Sequence, residues 1–147
     1  MAAFDPDSVE ARRRAGRELL ESLRGEAPAS ALNEILEVAP AFADYLHEFV
    51  YGEVFSRPGL TPRDRIISTL SCLVTLGGME RPIELYVDMG LNSGMAPAEI
   101  VEVLLQCLSL AGFPRVQSGL LAARRVFLRR GLIGSAGADL APEGGAD

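Results

Sequence analysis

Phe55-Ser-Arg-Pro-Gly-Leu-Thr-Pro-Arg-Asp-Arg-Ile-Ile-Ser-Thr-Leu-Ser-Cys-Leu-Val-Thr-Leu76 reads as a turn that launches a long, mostly buried helix. In Ser56-Arg57-Pro58-Gly59, proline sets φ and glycine is free to take a positive φ, which is the chemistry of a reverse turn. Thr61 is a good N-cap, and Pro62 stands at the first helical position, where its missing N–H does no harm. Asp64, three residues after the cap, makes a shortened capping box and brings negative charge to the helix N-terminus. Ile66, Ile67, Leu70, Leu73, Val74 and Leu76 then recur at helical spacing. A second stripe, Arg65, Thr69, Cys72 and Leu76, begins with a charge and passes a hydroxyl and a thiol. On so apolar a helix that stripe is the first place to look for chemistry.

Outward from this segment the chain reads as helices throughout. Asp5-Pro6 opens a helix that runs to Arg24 and stops at Gly25. Its apolar stripe, Val9, Gly16, Leu20 and Leu23, is thin, so it is expected to lie across the domain or onto a neighbouring subunit. A segment from about Ala29 to Glu37 ends at Ala39-Pro40, and a further helix runs from Ala41 to about Tyr51 with Phe42, Tyr45, Leu46, Phe49 and Val50 on its apolar side. Gly77-Gly78 ends the central helix, and the next covers about Arg81 to Leu91 before the turn Asn92-Ser93-Gly94. Pro97 opens a helix whose core face is Ile100, Val103, Leu104, Cys107, Leu108 and Leu110. Gly112 closes it, and Pro114 begins the last helix, to about Arg130, where Arg129 and Arg130 suit the negative end of the helix dipole. Gly131 to Asp147 is rich in glycine and alanine and is expected to be a flexible tail. No strand pattern survives. The expectation is an all-α compact bundle of about six helices in one domain, 1–130, with an N-terminal arm over about 1–38 and a core over 40–130.

Composition narrows the function. With 147 residues, 48% of them hydrophobic, the chain is one domain with a real core. It has no signal-like start and no apolar run of the roughly 18 residues a membrane span needs, so a cytoplasmic protein without a membrane partner is expected. A net charge of −6 argues against nucleic acid. The one basic cluster, Arg12-Arg13-Arg14, lies among Glu10, Glu18 and Glu21 and reads as a solvated helix face. Every basic residue is arginine, which removes Schiff-base chemistry and lysine-bearing phosphate loops. His47 is the single histidine, and multi-histidine metal sites are excluded with it. Cys72 and Cys107 form no Cys-x-x-Cys pair and read as small buried hydrophobes; a redox role would need Cys72 exposed beside a cation. No dinucleotide fingerprint or nucleophile elbow is present. An enzyme of this composition is expected to work without a metal or organic cofactor.

The series Tyr51-Gly52, Ser56-Arg57-Pro58-Gly59-Leu60, Arg65, Leu91-Asn92-Ser93-Gly94, Glu99-Ile100 and Ala111-Gly112-Phe113-Pro114 resembles the carboxymuconolactone decarboxylase family, relatives of alkyl hydroperoxidase D. The likeness covers about Pro40 to Phe127. It implies an all-helical fold assembled as intertwined trimers or hexamers, hence a homo-oligomer acting on a small-molecule substrate. The Cys-x-x-Cys and histidine of the peroxidase branch are absent, so thiol peroxidase activity is not implied. The decarboxylase branch carries a histidine in the helix before the Leu-Asn-x-Gly turn, and Tyr86 matches that position. A phenol near pKa ~10 is a hydrogen-bond donor or general acid at neutral pH, suited to polarise a carbonyl or hold an enolate oxygen. Arg65 is the candidate substrate anchor, its planar fork matching two oxygens. Glu84 and Asp88 share a helix face at i, i+4 and are the candidate base, or else solvated surface acids. Thr69, Cys72, His47 and Asn92 complete the candidate binding set. The leading expectation is a lyase or isomerase acting on a small, oxygen-rich, cyclic metabolite by decarboxylation, isomerisation, dehydration or cyclisation through an enol. The abundance of arginine, alanine and glycine suits a GC-rich genome and a place in biosynthesis. The alternative is a non-catalytic helical binding or scaffold protein that kept the fold and lost the site.

Overall fold

A computed structural model describes residues 6–25 and 30–134. Along the chain run α1 (Pro6–Arg24), α2 (Ser30–Val38), α3 (Phe42–Tyr45), a π-helix (Leu46–Val54), α4 (Pro62–Leu76), α5 (Glu80–Asn92), α6 (Pro97–Gln106), α7 (Leu108–Ala111) and α8 (Phe113–Arg129). The described residues contain no strand, and the fold is all-α. The Asp5 cap and the tail beyond residue 134 lie outside the described residues.

α4 is the central element. Ile66, Leu70 and Val74 are fully buried along it, and α5, α6 and α8 pack around it. Its start is built as the residues require. The Asp64 amide donates to Thr61 Oγ1 at 3.2 Å and the Thr61 amide donates to Asp64 Oδ2 at 3.3 Å. The Thr61 hydroxyl and amide hydrogen bonds hold the Asp64 carboxyl below its usual range. Gly77 ends the helix at φ +74°, a conformation that costs a Cβ-bearing residue stability. Gly119 lets α8 close onto α4: a Cβ there would meet Val74 Cγ2 at 2.9 Å.

Three helical faces differ from the sequence expectation. Leu76 is 66% exposed, so the final residue of α4 points away from the core. The helix begun at Pro97 bends at Cys107, whose amide bonds back only three residues to Leu104 O. That tighter turn swings Leu110 outward, to 90% exposure. The largest change lies between Leu46 and Val54, where the chain winds as a π-helix; the Phe55 amide reaches back five residues to Val50 O at 2.8 Å. The wider turn breaks the α-helical register: Tyr45 and Phe49 face outward, while Tyr51 and Phe55 turn in and are buried.

α1 packs on this π-helix at near backbone contact. A Cβ on Gly16 would lie 1.8 Å from His47 O, and one on Gly52 would lie 2.4 Å from Arg12 O. The thin stripe of α1 therefore has an intramolecular partner. Arg12 and Arg13 are not a solvated face: they reach across this crossing to Glu48, at 3.5 and 3.4 Å, and Arg13 Nε also lies 3.6 Å from Asp44. Arg14 alone of the three is exposed.

Candidate functional site

A cavity of about 530 Å³ opens where α1, α2, the π-helix and α5 meet. Leu20, Leu32, Ile35, Phe42, Leu46 and Leu85 give it a mainly apolar wall. Tyr51 reaches it from the π-helix and Tyr86 from the middle of α5. The two hydroxyls face each other at 3.3 Å, and the Tyr51 and Phe55 rings pack at 5.1 Å between centroids. Met89 Sδ, 3.9 Å away, is a second, weak acceptor for the Tyr51 proton. When Tyr51 donates to Tyr86, the Tyr86 proton is left for whatever occupies the cavity.

Burial sets the protonation state of this pair. It pushes the Tyr51 phenol well above its ordinary range, and the neighbouring Tyr86 adds to the shift. Burial likewise raises Tyr86, partly offset by its hydrogen bond with Tyr51. Both are neutral donors at physiological pH. Neither is poised to act as a phenolate base.

The charged end of the cavity is formed by α5 and α8. Asp88 is only 2% exposed; Arg129 Nη2 donates to it at 2.5 Å and Arg130 Nε at 2.8 Å. Glu84 accepts from Arg125 Nε at 2.6 Å and lies 3.9 Å from Arg129. Glu84 and Asp88 do share one face, as their spacing requires, and they use it to bind α5 to α8. Asp88 is thus no solvated acid. A buried carboxylate is tolerated because two guanidiniums satisfy it. Both acids line the cavity, but their oxygens are engaged by arginine.

The remaining sequence candidates lie elsewhere. Arg65 does not join Tyr86: its Nη2 donates to Arg57 O at 2.7 Å, and its side chain lines a separate hollow with Arg57, Pro58, Gly59 and Leu60. Thr69 Oγ1 donates to Arg65 O within the same helix, at 2.8 Å. Cys72 is exposed rather than buried. The stripe singled out on α4 is therefore its outer side, for the inner side is taken by Ile66, Leu70 and Val74. His47 is half-buried at the α1 crossing; burial, then Arg17, lowers its pKa, and its Nδ1 has no partner among the described residues. Asn92 Nδ2 donates to Leu23 O at 2.9 Å and Arg24 O at 2.7 Å, closing the end of α1. Among the described residues no three His, Cys, Asp or Glu side chains gather as a metal site, and no helix is long and apolar enough to cross a membrane.

The model of the carboxymuconolactone decarboxylase family matches residues 40–125, more than half of the chain. The chain belongs to that family. It is 29% identical over 124 residues to the 4-carboxymuconolactone decarboxylase of Acinetobacter baylyi, covering 84% of this chain and 92% of that protein. An uncharacterized 15.0 kDa protein from the nqo9-nqo10 intergenic region of Paracoccus denitrificans is 26% identical over 121 residues, covering 76% of this chain and 89% of its own. The span matched by the carboxymuconolactone decarboxylase model holds both tyrosines, Glu84 and Asp88. α1 and α2, which supply Leu20, Arg24, Leu32 and Ile35 to the cavity, precede it.

Sequence reasoning missed Tyr51, Arg24, Arg81 and Arg129 as cavity residues. Tyr51-Gly52 stood in the family series, so Tyr51 carried a signal. Arg129 suits the negative end of the helix dipole, and nothing local reveals that it also reaches α5. Arg24 and Arg81 had no signal beyond charge.

Proposed function

We propose that the chain is a cofactor-independent acid–base enzyme of the carboxymuconolactone decarboxylase type, acting on an oxygenated cyclic metabolite through an enol. The observation that carries this reading is the Tyr51–Tyr86 hydroxyl pair at the wall of an apolar cavity. Two neutral donors in a poorly solvated site are suited to a carbonyl oxygen on which negative charge develops. Tyr86 donates to that oxygen and Tyr51 supports Tyr86 from behind.

Of the reactions that pass through an enol, decarboxylation asks least of such a site. The bond to the carboxylate breaks, carbon dioxide departs, and the electron pair it leaves flows into the carbonyl as an enolate that Tyr86 hydrogen-bonds or protonates. No general base is needed, which agrees with carboxylates that are already engaged by arginine. Arg65 is not assigned the anchor role, since its guanidinium is directed at the Arg57 carbonyl.

The same engaged carboxylates favour a second reading, a helical binding protein that kept the fold and lost its base. Turnover separates the two. 4-Carboxymuconolactone, the compound named for the Acinetobacter relative, is the first substrate to assay, followed by other acids that decarboxylate to enols. Tyr86→Phe should lower kcat by about 10²–10³-fold, the usual effect of deleting an oxyanion donor, while leaving the melting temperature nearly unchanged. Equal rates in wild type and Tyr86→Phe would remove Tyr86 from the chemistry.

A homo-oligomer, trimer or hexamer, belongs to the same proposal. Its support is exposed apolar surface: Val38, Leu110 and Phe113 are 86%, 90% and 78% exposed in the single chain.

A further inference from the structure

The charges around the cavity do not all find partners among the described residues. Of the guanidiniums that line it, Arg129 is held by Asp88 and Glu84, and Arg81 pairs with Glu34 at 3.1 Å. Arg24 has no ion-pair partner among the described residues, and its buried Nε has no hydrogen-bond acceptor. The backbone that carries Arg24 is nonetheless held. Two hydrogen bonds from Asn92 hold the last carbonyls of α1, including that of Arg24 itself. A buried, unpaired donor is costly unless something accepts from it.

The rest of the wall states what else the occupant must be. At about 530 Å³ the cavity falls within the roughly 300–1,000 Å³ of pockets that enclose drug-sized ligands. Leu20, Leu32, Leu46 and Leu85 offer it nothing polar. Ile35 and Phe42, also on the wall, remain 41% and 38% exposed, apolar surface left for a ligand to cover.

We infer that the cavity binds an amphipathic organic acid: an anionic group on Arg24, an apolar ring-bearing body along α2 and the π-helix, and a carbonyl or enol oxygen at Tyr86. This rests on the site proposed above and gives its substrate a class, larger and more apolar than a small polyacid. The anion on Arg24 is a retained group that orients the molecule, and its binding energy goes into placing the reacting carbonyl.

The test is binding, not turnover, so it stands or falls apart from the catalytic reading. 8-Anilinonaphthalene-1-sulfonate carries an aromatic body and one anion; N-phenyl-1-naphthylamine carries the body alone. Both are titrated by fluorescence into the intact chain, with succinate as a small polyacid competitor. One saturable site per chain for the sulfonate, undisturbed by succinate, is expected. Arg24→Met should weaken the sulfonate by at least about tenfold, the effect of losing a charge-assisted hydrogen bond, and leave the neutral probe unchanged. Leu85→Trp, which fills the cavity, should weaken both, and Tyr86→Phe should bind both even if it turns nothing over. Near-UV circular dichroism on each variant confirms native packing. Equal sulfonate affinity in wild type and Arg24→Met, or parallel loss of both probes in a folded Arg24→Met, overturns the inference. So does a wild-type chain that binds neither probe or is competed by succinate.

Discussion

The α4 stripe and the Tyr51–Tyr86 cavity have the same sequence signature and opposite fates. Each places polar side chains among apolar ones on a helix. On α4, Arg65, Thr69 and Cys72 lie off the buried face of Ile66, Leu70 and Val74: Arg65 Nη2 and Thr69 Oγ1 are used on nearby backbone, Cys72 is exposed, and Arg65 Nε is buried with no partner among the described residues. On α5 and the π-helix, Tyr51, Tyr86 and Asp88 are turned inward, where each polar atom requires a partner and meets one from another element. A polar residue within an apolar run is thus no guide to a site by itself. What separates the two regions is whether a neighbouring helix covers the stripe.

The comparison is most severely tested at the α1 crossing, because α1 is what covers the cavity. Gly16→Ala should destabilise the chain by about 3 kcal/mol, the upper end for overpacking, since the added carbon meets the His47 carbonyl and backbone rather than a side chain must move. The loss is read from urea unfolding, and probe binding should fall with it, because Leu20 and Arg24 leave with α1. A Gly16→Ala protein as stable as wild type would mean that α1 does not close on the π-helix.

A weaker test uses pH. The phenols of Tyr51 and Tyr86 are raised in the folded chain, so the unfolded chain releases those protons first as pH climbs. Their contribution to stability is whole below the unfolded value of about 10 and is lost as pH rises beyond it. Unfolding free energy should therefore decline above pH ~10, with a shallower decline in Tyr51→Phe. An identical alkaline limb in wild type and Tyr51→Phe would place that phenol in water.

The smallest effect belongs to the outer stripe. Arg65→Ala removes one charged hydrogen bond to the Arg57 carbonyl, a loss of about 1 kcal/mol at a half-exposed site. Probe affinity in the cavity should not move. A loss of affinity comparable to that of Arg24→Met would restore Arg65 as an anchor and erase the distinction drawn between the two regions.

Much of the fold was legible in local chemistry. Thr61, Pro62 and Asp64 set the start of α4, and their capping bonds are present as expected. Gly25, Gly77 and Gly112 end helices with positive φ where the residues indicated. Tyr86, Glu84 and Asp88 lay on the helix that forms the cavity. The π-helix was not legible, because Phe42, Tyr45, Leu46 and Phe49 fit an α-helical period well. The wider winding brings in Tyr51 and Phe55, and the contact of Gly16 with the His47 backbone becomes visible only once α1 is in place.

The sequence by itself determined most of the helix limits, the cap of α4, the all-α class and the family, since each depends on residues within a few positions of one another or on an ordered series of short motifs. The tertiary structure alone decided which helical faces are inside, that Arg129 and Arg130 satisfy Asp88 from 41 and 42 residues away, and that Arg65 and Tyr86 stand in different hollows. Periodicity fixes the angle between side chains on one helix. It cannot say which angle points at a neighbour, because burial and ion pairing are properties of segments brought together from distant parts of the chain.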